Sequence, residues 1–179
     1  DRDEEVDSRW AQVQTVLQRR LDLIPKLVEV VRGYAQHEEQ VLTEVTKIRG
    51  ELAARLTPAT AGESQSQLKD LAVLERDLGA AERRMFALIE QYPDLKADQN
   101  FLALQDQLEG TENRISTERQ RYNEAVRQIN KSLRRFPHTV VGSMFDFAPR
   151  AYFEADLGAD EAPKLGLAQG LVTTPTTEP

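Results

Sequence analysis

Between Trp10 and Leu52, apolar residues return every three or four positions, over a length greater than that of an ordinary globular helix. Residues with this spacing lie on one side of an α-helix. The stripe consists of Trp10, Val13, Leu17, Leu21, Ile24, Val28, Val31, Ala35, Leu42, Val45, Ile48 and Leu52. Because most helical stability comes from packing such a face, the pattern predicts long helices that lie side by side.

Pro25 lies inside this stripe and does not change its phase. Proline lacks the N–H that would bond to the carbonyl of Leu21, and its ring crowds that same carbonyl. We therefore expect a bend or a tight reversal at residues 22–25, which divides the first segment into two helices. Arg19 and Arg20 then lie at the end of the first of these, where we expect them to cap the helix or to be solvated.

Two later segments repeat the pattern, one from about residue 63 to 91 and one from about 95 to 135. Their apolar residues have the three-four spacing of a coiled coil or helical bundle. They are Leu68, Leu71, Leu74, Leu78, Ala81, Met85, Leu88 and Ile89, followed by Phe101, Leu104, Leu108, Ile115, Tyr122, Val126, Ile129 and Leu133. The sequence thus predicts an all-α fold, in which residues 1–136 form an antiparallel four-helix bundle of long helices.

The polar run at residues 109–114 interrupts the last stripe. In one interpretation Gly110 lets a neighbouring helix approach closely, while Asn113 and Arg114 form hydrogen bonds across it. The alternative is a polar binding notch. We therefore place Glu112, Asn113 and Arg114 in a candidate interaction surface.

Residues 137–154 have neither a helical nor a strand period, and much of the chain's aromatic content lies in and just before them. We expect them to dock on the bundle as a C-terminal aromatic strap, because rings of this size bury a large apolar area. The alternative is contact with a partner or a membrane. The candidate interaction surface therefore also includes Phe145, Phe147, Tyr152 and Phe153. Residues 155–179 are acidic and rich in proline and threonine, as in a flexible tail.

Composition excludes several classes of function. A net charge of −7 and a pI near 5.0 disfavour a nucleic-acid partner, which requires a clustered basic surface. The sequence has no cysteine, which rules out disulfides and thiolate chemistry. His37 and His138 lie in separate elements, and there is no glycine-rich phosphate loop and no nucleophile motif. We expect neither catalytic residues nor a cofactor.

A metal site is also not expected. Tyr34, His37, Glu38 and Glu39 cluster in the sequence, but a zincin requires two histidines at HExxH spacing. A di-iron bundle requires ExxH pairs on facing helices, and Tyr34 occupies the place of that carboxylate. The cluster is more typical of a solvated polar face.

Three stretches resemble, in the right order, the LemA family of bacterial envelope proteins. They are RRLDLIPKLVEVVRGYAQHE from Arg19, then residues 92–123, then residues 136–154. Lys26 replaces the asparagine that usually follows the proline, His138 replaces a common serine, and the hydrophobic N-terminal segment of the family is lacking. The resemblance implies the same helical bundle.

The resemblance also implies a membrane-anchored structural or scaffold protein that binds other envelope proteins and has no catalytic activity. We expect the anchor, a transmembrane helix or a lipid, upstream of Asp1. The acidic residues 1–7 favour a domain that faces outside the cytoplasm. The alternative function is a helical binding module that takes a small molecule, a lipid or a metal in a groove between helices.

Overall fold

The computed structural model describes residues 2–56, 64–133 and 149–153. These residues form five α-helices and no strand, which confirms the predicted all-α class. The helices are α1 (Arg2–Tyr34), α2 (Glu39–Leu56), α3 (Gln65–Ile89), the short α4 (Pro93–Lys96) and α5 (Gln99–Leu133). Residues 155–179 and the first part of the expected strap, including Phe145 and Phe147, lie outside the described residues.

The four long helices form an antiparallel bundle. Helix α1 packs along α5 and against α2, and α2 packs along α3. Trp10 near the start of α1 contacts Tyr122 near the end of α5. At the other end Tyr34 donates its hydroxyl to Asp98, just before α5, at 2.9 Å. The two helices therefore run in opposite directions along their whole length.

The core is continuous and follows the predicted stripes. Its buried apolar residues recur at steps of three and four along α1, α3 and α5, as expected for helices that pack through one face. Phe153, which follows α5 by twenty residues, belongs to the same core. Among the described residues, no helix combines the length and the apolar character that a membrane span requires.

The first break in the bundle was predicted at the wrong place. Helix α1 continues through Pro25, and the chain turns at residues 35–38 instead. The Nε of Arg49, on α2, donates to the carbonyl of Leu21 at 3.1 Å. That carbonyl is the acceptor that an N–H at position 25 would have bonded. Because a neighbouring helix supplies the donor and the proline is exposed, the helix need not end.

The ends of the helices are fixed by local side-chain bonds. Ser64 caps α3 through a capping box with Gln67. Asp98 caps α5, since its Oδ1 accepts from the backbone N–H groups of Asn100 at 2.8 Å and Phe101 at 3.0 Å. Together with the bond from Tyr34, this cap holds the α1–α5 end of the bundle in register.

We predict that Arg49 and Pro25 are energetically coupled. Arg49→Met should destabilise the protein by about 1 kcal/mol, because the carbonyl of Leu21 loses a donor. In a Pro25→Ala background, which should keep the fold, the new N–H at position 25 bonds to that carbonyl, and Arg49→Met should cost much less. Urea unfolding of the four proteins measures the coupling. An equal cost in both backgrounds would show that Arg49 does not replace the missing donor.

Candidate functional site

Three core positions of the helical stripes hold charged residues. In α1, Arg20 lies three positions after Leu17 and four before Ile24, as an apolar core residue would. In α3, Glu75 and Glu82 alternate with apolar core residues at steps of three and four, in the series Leu71, Glu75, Leu78, Glu82 and Met85. Their exposed fractions are 5% for Arg20, 5% for Glu75 and 7% for Glu82. The expectation that Arg20 is solvated or caps a helix is therefore wrong, whereas Arg19 is exposed.

The guanidinium of Arg20 connects three helices. Its Nε and Nη2 donate to the carboxylate of Glu82, on α3, at 3.2 and 2.7 Å. Its Nη1 lies 2.7 Å from an oxygen of Glu112, on α5, and 3.8 Å from an oxygen of Glu75. The fork with Glu82 is the bidentate geometry that makes arginine–carboxylate pairs strong.

A second guanidinium extends this network. Arg119, on α5, donates to Glu75 at 2.8 Å. Its guanidinium carbon lies 4.3 Å from the centre of the Phe153 ring, a cation–π contact. Two arginines and three glutamates thus form one network, the charge cluster, which consists of Arg20, Glu75, Glu82, Glu112 and Arg119. Its formal charge is −1 when all five groups are ionised, because it contains two cations and three anions.

Burial and ion pairing shift the pKa values of Arg20 and Glu75 in opposite directions. Burial lowers the pKa of Arg20, but the hydrogen bond and charge of Glu82 and the charges of Glu112 and Glu75 raise it above its ordinary value. Burial raises the pKa of Glu75 above its ordinary value, despite the nearby charges of Arg119 and Arg20. Arg20 is therefore a permanent cation, and Glu75 is the carboxylate that takes up a proton more readily than usual.

The cluster forms the floor of a groove between α3 and α5. The cavity has a volume of about 540 Å³, with Arg20 among its lining residues and Arg76, Arg83 and Glu109 also on its walls. A Cβ on Gly79 would lie 3.4 Å from Nη2 of Arg20, in van der Waals contact with it, so Gly79 lies directly beside the guanidinium.

The polar run of α5 is not the close helix contact that one interpretation of the sequence predicted. A Cβ on Gly110 would meet no atom within 4 Å, so this glycine makes no close packing contact. Of the candidate surface residues in this run, Glu112 joins the charge cluster, and its side chain is 57% exposed. Asn113 and Arg114 are exposed. Arg114 lines a second groove, of about 1030 Å³, which also contains Arg19.

The other candidate residues that the structure describes lie on the strap. Tyr152 is 37% exposed, whereas Phe153 is fully buried and lies 5.8 Å from Trp10 between ring centres. Phe153 therefore faces the core and Tyr152 faces solvent. Through Arg119, Phe153 connects the strap to the charge cluster.

Sequence reasoning missed four of the five members of the charge cluster. It placed Glu112 in the candidate interaction surface, assigned Arg20 to a helix end, and gave no role to Glu75, Glu82 or Arg119. A signal was present for three of these four, because Arg20, Glu75 and Glu82 fill core positions of otherwise apolar stripes. A charged side chain at such a position must find a partner, since burying it alone is costly.

Comparison with known proteins identifies one matching family and several distant relatives. A model of the LemA family matches residues 9–166. Magnetosome protein MamQ 2 of Paramagnetospirillum magneticum is 22% identical, over 88% of this chain and 64% of the relative. Protein LemA of Metamycoplasma hominis is 26% identical, over 84% of this chain and 65% of the relative. The chain thus spans just under two thirds of the length of these relatives.

We predict that Arg20→Met strongly destabilises the fold, because it leaves the buried Glu82 without its counter-charge. The expected loss in the free energy of unfolding is about 3 to 5 kcal/mol. Arg19→Met, at the adjacent exposed position, is the matched control and should change stability by less than about 0.5 kcal/mol. Urea unfolding at neutral pH compares the two. Similar small losses in both variants would contradict a compensating role of Arg20.

We also predict opposite pH dependences for two glutamates. The folded-state pKa of Glu75 is raised, so protonation favours the folded state. Relative to Glu75→Gln, which cannot titrate there, the wild type should gain stability as the pH falls from 7 towards 4.5. Hydrogen bonds from Arg127 and Gln128 lower the pKa of the exposed Glu124 to about 2. Relative to Glu124→Gln, the wild type should therefore lose stability between about pH 4.5 and pH 2.

Unfolding curves at several pH values test both predicted pH dependences, a gain of stability through Glu75 and a loss through Glu124 as the pH falls. The difference between the wild type and each glutamine variant isolates one titration, because the other groups are the same in both proteins. A difference that is independent of pH for Glu75→Gln would show that burial does not perturb this carboxyl group.

Proposed function

This chain belongs to the LemA family, and from that premise we propose that it is a membrane-anchored scaffold protein of the bacterial envelope. In this proposal the bundle binds other envelope proteins and catalyses no reaction. The family match carries the envelope assignment. One of the relatives described above is named a magnetosome protein, and in this proposal the present chain likewise works in a larger assembly.

The shape of the bundle supports a scaffold. Helix α1 has 33 residues, which corresponds to a length of about 50 Å at 1.5 Å per residue. Helix α5 runs beside it in the opposite direction with 35 residues. Long antiparallel helices with a continuous core make a rigid rod, which can hold partners at a distance from a membrane.

The pairing of the buried charges supports binding rather than acid–base catalysis. Glu82 and Glu75 each accept a hydrogen bond from a guanidinium, Glu82 from Arg20 and Glu75 from Arg119. A catalytic carboxyl or imidazole must instead lie within hydrogen-bond distance of the substrate proton that it transfers. His37 is exposed on the turn between α1 and α2. The same pairing makes a small-molecule site in the groove the weaker alternative, since a polar ligand would have to displace Glu112 from Arg20.

We assign the partner-binding surface to the exposed face of α5 beside the groove. Glu112, Asn113 and Arg114 are consecutive exposed residues, which we call the polar strip. The strip passes around α5 from Glu112, which lines the groove of the charge cluster, to Arg114, which lines the second groove. Glu112 also lies 2.7 Å from the buried Arg20, so this end of the strip is bonded to the charge cluster. A rigid polar surface of this kind suits a protein partner with complementary charges.

The orientation that we propose places the start of α1 near the membrane. In the LemA family a hydrophobic segment precedes the region that this bundle represents, so the anchor would enter at that end. Asp3 in the first turn of α1 bonds to Arg150, so the strap lies at the same end. Tyr34 and α4 would then lie far from the membrane, outside the cytoplasm.

Single cysteines in the full-length gene product test the surface and the orientation together, because residues 1–179 contain no cysteine. Asn113→Cys is the test position, and Gln40→Cys, exposed on α2, is the matched control. Cells with an intact inner membrane, and with any outer membrane permeabilised, are treated with a membrane-impermeant maleimide that carries a photo-crosslinker. We expect both positions to be labelled and Asn113→Cys alone to capture partner proteins. Labelling only after lysis would refute the orientation, and equal capture from both positions would refute the surface.

A further inference from the structure

Residues 150–153 are held on the bundle through their backbone. The amide group of Asn130 donates to the carbonyl of Arg150 at 2.9 Å and accepts from its N–H at 2.9 Å. The amide group of Gln65 makes the same pair of bonds with Tyr152, at 3.0 and 3.1 Å. One side-chain amide thus satisfies both polar groups of one residue, as a neighbouring β-strand would.

The other two residues are bound in a similar way. The amide of Asn123 donates to the carbonyl of Phe153 at 2.8 Å and accepts from its N–H at 2.9 Å. The hydroxyl of Tyr122 donates to the carbonyl of Ala151 at 3.0 Å. All four consecutive residues are therefore recognised by bundle side chains through main-chain atoms. In peptide recognition, main-chain bonds of this kind supply affinity, and pockets for side chains supply specificity.

Two side chains of the segment provide that specificity. Phe153 is fully buried between the ring of Trp10 and the guanidinium of Arg119. At the other end, the guanidinium of Arg150 donates to Asp3 at 3.1 and 2.7 Å, with Asp7 at 3.9 Å. The surface thus selects an arginine that is followed, three positions later, by phenylalanine.

We propose that this surface is a peptide-binding site, that residues 150–153 are its resident ligand, and that a second copy of the chain can supply the same segment. We call it the peptide cleft, formed by Trp10, Gln65, Tyr122, Asn123 and Asn130. The cleft belongs to α1, α3 and α5, and every contact described above would be the same if the segment came from another molecule. The proposal does not depend on the envelope function.

The length of the connection makes exchange between copies sterically feasible. Fifteen residues, 134–148, separate Leu133 from Pro149. A chain of that length can span at most about 50 Å at 3.3 Å per residue. A resident segment on a short linker competes at an effective concentration on the order of millimolar, so exchange requires a high local concentration of the protein.

The first test measures binding of a labelled peptide, residues 147–156 (FAPRAYFEAD), to the full chain by fluorescence anisotropy. Phe153→Ala in the chain weakens its own segment and leaves the cleft intact. We expect this variant to bind the peptide at least tenfold more tightly than the wild-type chain does, because the resident segment no longer competes. Tyr152→Ala is the matched control. It changes an exposed neighbour and should bind the peptide as the wild type does.

A peptide that carries Phe153→Ala should bind none of these chains with comparable affinity. Arg150→Glu in the chain is a second way to release the segment, because it opposes Asp3 and Asp7, and circular dichroism checks that both variants stay helical. Equal binding of the two peptides would overturn the site. Loss of helical structure in both chain variants would overturn it too, since the segment would then be a part of the fold that cannot be exchanged.

The second test asks whether another copy of the chain can supply the segment that occupies the peptide cleft. A chain with Asn123→Leu and Asn130→Leu has a damaged cleft and an intact segment, whereas the Phe153→Ala chain has the opposite defect. Light scattering after size-exclusion chromatography should detect a dimer in a concentrated mixture and only monomers in each variant alone. If the mixture stays monomeric although the peptide binds, the assignment of a second copy as donor is overturned.

Discussion

The guanidinium of Arg20 is the constraint on which the packing of the three longest helices depends. Apolar stripes alone permit helices to slide past one another, because one apolar layer resembles the next. A buried cation does not permit this, since its burial without counter-charges is costly. In this register of the bundle, Glu82 of α3 and Glu112 of α5 both lie 2.7 Å from it. A shift of one helix along another would separate these charges, so the charge cluster favours this arrangement over others that the apolar residues would allow.

The charge cluster also connects the polar strip of α5 with the peptide cleft. Glu112 is largely exposed at one end of the cluster, and Phe153 is buried at the other. Between them Arg119 bonds to Glu75 and stacks on the ring of Phe153. If a protein binds the polar strip as we propose, it and the segment in the peptide cleft contact residues of one connected network. The ionised groups of this network bond α1, α3 and α5 to one another.

Periodicity was sufficient to predict the helical class and the long segments, since the buried residues follow the apolar stripes. It failed where the decisive contact comes from a distant part of the chain. A helix break was predicted at Pro25 because proline cannot donate a hydrogen bond to the carbonyl of Leu21. The sequence does not reveal that the side chain of Arg49 donates to that carbonyl instead. The contact of Gln65 with Tyr152 spans 87 positions and has no local pattern at all. Arg20 was misassigned for a different reason, because residue type was given more weight than position in the stripe.

A double-mutant cycle on Arg20 and Glu82 tests most directly whether the buried charges exist to compensate each other. The free energy of unfolding is measured for the wild type, Arg20→Leu, Glu82→Leu and the double variant. Each single change leaves a buried charge with less compensation, whereas the double change leaves Glu75 with Arg119 and puts two apolar residues at core positions. We predict that the double variant recovers most of the loss, with a coupling energy of at least about 2 kcal/mol. Losses that simply add would contradict it.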